Sequence, residues 1–128
     1  MADNYKGEDR REFLRHRHEE PVQYRILDTE GKKTPSSKIV EAISKNLSAS
    51  GILFTSKKMP RLSSLLLLDL DYRAASICRE VEQNALIVNN RLFGKVVRVE
   101  ETNSGYDIGV AFVKKFDDLA DTIKELMA

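Results

Sequence analysis

The apolar residues change their period along the chain, and the changes mark its elements. From Val22 the repeat is two, with Val22, Tyr24 and Ile26 alternating with Gln23 and Arg25, as in a half-buried strand. Residues 28–36 contain Gly31 and Pro35 and read as a turn or loop. Lys38 to Ser44 and Ile52 to Ser56 read as two further strands, joined by a polar bend over residues 45–51. Pro60 then breaks the chain, and residues 64–70, centred on Leu65 to Leu68, read as a largely buried strand. Leu92 to Glu100 and Tyr106 to Val113 make a hairpin, whose turn holds Asn103 and Gly105, both tolerant of positive φ. Unbroken alternation in its first strand puts Gly94, Val96 and Arg98 on one face and Phe93, Lys95, Val97 and Val99 on the other.

The end of the chain switches to a helical period. Phe116, Leu119, Ala120, Ile123, Leu126 and Met127 share one face, and Asp117 is placed to cap the helix. Residues 72–90 read equally as a short helix, from the spacing of Tyr72, Ala75, Cys78, Val81 and Ala85, or as an extended insertion in which Ala85 to Val88 joins a strand. The total is about six antiparallel strands and a C-terminal helix. Closure into a small barrel would remove the exposed edges, and the helix could then cover an open end. The expected organisation is one domain, residues 21–128, with an insertion near 72–90. Residues 1–20 precede it as a flexible, charged arm.

Composition narrows the function. At 128 residues with 41% hydrophobic and 32% charged positions, this is an ordinary globular chain rather than a disordered one. A net charge of +1 gives little bulk attraction to nucleic acid or to an anionic membrane, so an anion site must come from local arrangement. One cysteine, Cys78, excludes an internal disulfide and fits a reducing cytoplasm. No apolar run is long enough to span a bilayer, so no membrane insertion is expected.

Two short segments carry candidate chemistry. Arg11-Glu12-Phe13-Leu14-Arg15, preceded by Arg10, reads R-x-x-x-R, and Asn46-Leu47-Ser48-Ala49-Ser50-Gly51 reads N-x-S-x-x-G. A guanidinium is a permanently charged planar fork that matches phosphate oxygens or the O6/N7 edge of guanine. The Asn-Ser-Gly cluster offers short polar groups beside a residue that permits close approach to the backbone. In this order, with the first segment ahead of the first strand and the second between two strands, the pair resembles the signature of the PilZ domain, a bacterial receptor family for cyclic di-GMP. The tail Gly94-Lys95-Val96-Val97-Arg98-Val99-Glu100, then Tyr106-Asp107-Ile108-Gly109-Val110-Ala111-Phe112, then a helix, is similar as well.

The resemblance implies a six-stranded antiparallel barrel of the split-barrel type with a C-terminal helix, and a non-enzymatic receptor. Arg11 and Arg15 would grip phosphates and guanine edges, and Asn46, Ser48 and Gly51 would line the surface that receives a guanine. Arg10 would add a contact, and Arg98 would stack on a base. Position 46 is Asn where Asp is frequent in the family, so the carboxylate that would accept two N–H bonds from guanine is missing. The implied partners are cyclic di-GMP and a protein effector, with motility, exopolysaccharide and biofilm as outputs, in a monomer or homodimer. The rival is a PilZ-like protein adaptor that binds no nucleotide. A nucleic-acid polymer is not an expected partner, because the chain has no Trp and its Phe and Tyr fall mostly at core-like positions.

The remaining clusters point to no chemistry. His16 and His18 lack a third ligand, Asp69 and Asp71 read as strand-end residues, and Cys78 has no recognisable His partner. No cofactor and no metal are expected.

Overall fold

The computed structural model describes residues 16–17, 20–27, 38–74 and 77–127. Among the described residues are eight strands: β1 His16–Arg17, β2 Pro21–Leu27, β3 Val40–Leu47, β4 Gly51–Ser56, β5 Leu65–Asp69, β6 Ile87–Val88, β7 Arg91–Thr102 and β8 Gly105–Phe112. Helix α1 is Cys78–Asn84 and α2 is Leu119–Met127. Six of the strands close into an antiparallel ring in the order β3, β2, β5, β7, β8, β4 and back to β3. The two short strands are additions to it, β1 beside β3 and β6 beside β7. Closure leaves the six long strands paired on both sides for much of their length, which satisfies backbone groups that an open sheet would expose.

β5 explains the layering. Its four consecutive leucines are all buried, because both faces of the strand are covered. Leu66 and Leu68 point into the barrel with Val22, Tyr24, Phe54, Leu92, Val96 and Ile108. Leu65 and Leu67 point outward and pack with Leu27, Phe93, Ala120 and Ile123. Helix α2 therefore covers the outer face of β2, β5 and β7 rather than an open end of the barrel. Its first turn is capped by Asp117, whose Oδ1 accepts the Leu119 N–H at 2.8 Å. Phe116, counted by its spacing with the apolar face, precedes the helix and is 94% exposed.

Both readings of residues 72–90 are partly met. Tyr72–Ala74 form a 3-10 turn, α1 follows, and Ala85 and β6 then pair with neighbouring chain. Ile77 and Val81 join the same buried cluster as the barrel interior. The tilted Tyr24 and Phe54 rings, 5.3 Å apart, fill its middle. The Tyr24 hydroxyl lies 3.2 Å from Ser56 Oγ, so the phenol's one polar atom is satisfied inside the core.

Candidate functional site

The N-x-S-x-x-G segment straddles the end of β3 and a bend of residues 48–50, shorter than the seven-residue bend its polarity predicts. The Ser48 N–H donates to Gly51 O at 2.9 Å, and the Gly51 and Ser50 N–H groups donate to Ser48 Oγ at 3.2 and 3.3 Å. The Ser48 hydroxyl in turn lies 3.3 Å from Gly51 O and from Ser50 Oγ. Ser48 is 7% exposed, with its hydroxyl engaged within the bend itself. Gly51 is required sterically: a Cβ there would lie 2.3 Å from Val110 O on β8. Ser48 and Gly51 thus build the connection between β3 and β4 and press it against β8.

Asn46 belongs to β3 itself, and a bulge aims it. Ser44 pairs with Phe54 and Asn46 with Leu53, so Lys45 is an extra residue on β3. Ser44 is buried and Lys45 exposed, as alternation requires, but Asn46 is half-exposed and Leu47 buried. Without the extra residue Asn46 would face the core and Leu47 the solvent. The Lys45 ammonium, released outward, pairs with Asp107 Oδ2 at 3.1 Å, while Thr55 Oγ1 donates to Asp107 Oδ1 at 3.2 Å.

A second bulge does the same for Arg98. Val96 pairs with Val110 and Arg98 with Gly109, which leaves Val97 extra on β7. Val97 and Arg98 are both exposed, and Val99 turns inward opposite the buried Ile108. The faces expected from unbroken alternation are corrected here: Arg98 parts from Val96 and Val99 from Val97. The two bulges put Asn46 and Arg98 on one outer face, in the transverse row Asn46, Leu53, Gly109, Arg98. At about 4.8 Å per strand the row runs about 14 Å along the sheet. Gly109 keeps its middle low, because a Cβ there would come 3.3 Å from Arg98 Cβ. The Arg98 Nη2 donates to Glu100 Oε1 at 3.2 Å, an exposed pair that holds the guanidinium only weakly.

Arg10, Arg11 and Arg15 lie outside the described residues, as does most of the arm. The strand that follows them is described: in β1, His16 pairs with Leu47 and Arg17 with Asn46. The chain leaving R-x-x-x-R therefore runs antiparallel to the strand that carries Asn46. β1 was too short to show a period of its own, and no pattern of residues announced either bulge.

A family model for the PilZ domain matches residues 9–128. The chain belongs to the PilZ family. Among solved structures, this PilZ domain is similar to the inhibitor of motility MotI/DgrA of Bacillus subtilis, with a TM-score of 0.55 at 14% sequence identity. The match covers 92% of this chain and 48% of that one, so the chain spans about half the length of that protein. Identity at that level supports the fold alone. No curated protein matches the sequence. The PilZ barrel is a binding and adaptor scaffold, and no described helix is long and apolar enough to cross a membrane.

Proposed function

We propose that this PilZ domain is a non-catalytic receptor for cyclic di-GMP that passes the signal to a protein effector. The observation that carries the reading is the pairing of β1 with β3, which brings the chain after R-x-x-x-R against Asn46, on a face that also presents Arg98. In this reading Arg11 and Arg15, with Arg10 beside them, supply guanidinium groups to the two phosphates and to guanine edges. Asn46 hydrogen-bonds a guanine, and Arg98 leaves Glu100 to lie against a base. Gly109 leaves the surface between them low enough for a flat ring. Ser48 and Gly51 act by holding the bend that fixes Asn46 and Leu47. A dianionic ligand changes the charge and shape of this face, and a cytoplasmic partner in motility or polysaccharide output reads the change.

The test is calorimetric titration of the full chain with cyclic di-GMP, with GTP as a control and an Arg11→Ala/Arg15→Ala variant beside it. Each charge-assisted hydrogen bond contributes about 1.5–3 kcal/mol, so the double substitution should weaken binding at least a hundredfold. Absence of heat and of thermal shift in the wild type at high ligand concentration would leave the adaptor without nucleotide. The internal engagement of the Ser48 hydroxyl favours that second reading.

A further inference from the structure

We propose that the loop between β4 and β5 docks this domain on an anionic lipid surface. The loop lies at the opposite end of β4 from the Ser48–Gly51 bend and adjoins the nucleotide face only where Val97 neighbours Arg98. Its residues Lys57, Lys58, Met59, Arg61 and Leu62 are all exposed, while Pro60 is buried and seats the loop. Met59 is 55% and Leu62 62% exposed. The loop's far end is tied to β7, where the Ser63 N–H donates to Val96 O at 2.8 Å and the Val96 N–H to Ser64 O at 2.9 Å. That tie sets it beside Val97, the 59%-exposed residue that the β7 bulge turns outward.

Three exposed apolar side chains are thus accompanied by Lys57, Lys58 and Arg61, none of which makes an ion pair with a described residue. Lys38 lies against Lys58: a hydrogen bond between the two amino groups, and their charge repulsion, lower the pKa of Lys58. Crowded ammonium groups beside exposed aliphatic chains call for an occupant that is anionic outside and apolar within. A bilayer surface is such an occupant: headgroups take the cations, and Met59 and Leu62 reach the acyl boundary. A protein hot spot would call for aromatic anchors or an Arg seated in a pocket, and a nucleic acid for stacking aromatics; the segment Lys57 to Ser64 contains no aromatic residue, and its Arg61 is exposed. Flexible Lys, Met and Leu side chains suit a fluid surface, which demands no fixed shape.

The experiment is cosedimentation of the full chain with vesicles of phosphatidylcholine alone and of phosphatidylcholine mixed with phosphatidylglycerol. Binding is expected only to the mixed vesicles, and it should weaken as salt rises. Each cation lost should reduce partitioning about fivefold, so Lys57→Gln/Lys58→Gln/Arg61→Gln should reduce it about a hundredfold. Met59→Ser/Leu62→Ser should reduce it while leaving the thermal midpoint and cyclic di-GMP titration unchanged. Arg11→Ala/Arg15→Ala should retain vesicle binding, which separates this proposal from the nucleotide reading. The proposal is overturned if neutral vesicles bind equally, if the arm variant rather than the loop variants abolishes binding, or if polyglutamate binds the loop while anionic vesicles do not.

Discussion

Arg17 stands directly opposite Asn46 in the β1–β3 ladder. Arg17 is two residues beyond Arg15, the last position of the first motif, so one short ladder ties the two motifs together. The partner at position 46 is a neutral amide on an outer face that also presents Arg98. A carboxylate there could accept two N–H bonds from guanine, and charge-assisted bonds are about twice as strong as neutral ones. Asn46→Asp should therefore tighten cyclic di-GMP binding roughly tenfold. Calorimetric titration checks it, and unchanged or weaker affinity would remove Asn46 from the guanine contact.

Gly51 meets Val110 O so closely that any side chain must push β4 from β8. Gly51→Ala should destabilise the domain by about 1–3 kcal/mol, measured as a lower urea midpoint with unchanged slope. Gly109→Ala offers the contrast. Its Cβ would lie 3.3 Å from Arg98 Cβ, tight but without the overlap that Gly51 would suffer. The cost should stay below about 1 kcal/mol, and the larger effect should fall on ligand affinity. Equal losses of stability in both variants would contradict the assignment of Gly51 to packing and Gly109 to the binding face.

Burial raises the Tyr24 pKa above its ordinary value of 10.0, and the hydrogen bond with Ser56 opposes that rise. Below 10 both folded and unfolded chains keep the phenol proton, so the phenol's contribution to stability is intact. Above it the unfolded chain ionises first, and stability falls as pH climbs toward the folded-state value. Urea midpoints of wild type and Tyr24→Phe, compared from neutral pH upward, should show the variant with the shallower alkaline decline. At neutral pH the variant should be less stable by about 1 kcal/mol, the hydrogen bond to Ser56 being lost. Parallel alkaline slopes would assign that decline to other groups.

Ile123 is fully buried in the cluster between α2 and the outer face of β2, β5 and β7. Ile123→Ala should cost about 2–5 kcal/mol. Because the cluster lies away from Asn46 and its neighbours, cyclic di-GMP affinity measured well below the thermal midpoint should stay within about twofold of wild type. A large loss of affinity in a still-folded variant would couple the helix to the nucleotide face.

The strands and the C-terminal helix were legible because a period of two and a period near 3.6 are averages over several residues, and single irregularities barely disturb them. The family was legible from Arg11, Arg15, Asn46, Ser48 and Gly51 in order. What escaped was parity. An extra residue at Lys45 or Val97 reverses which side of the sheet every later side chain occupies, and neither residue differs in kind from its neighbours. Unbroken alternation thus gives Arg98 the right strand and the wrong companions. The place of α2 escaped for another reason. Four leucines in a row say that a strand is covered on both sides, but they do not say by what. Phe116 falls in register with the helical face because the spacing continues through a residue that lies just outside the helix.

The last closure of the ring joins Gly51 on β4 to Ala111 on β8, sixty residues later in the sequence. That edge of β4 pairs with β8 and so waits until β8 has been made. Such long-range pairing makes for slow folding. It also means that the bend carrying Ser48, which β8 anchors through the Phe112 N–H to Ser50 O, takes its final shape only once β8 is in place.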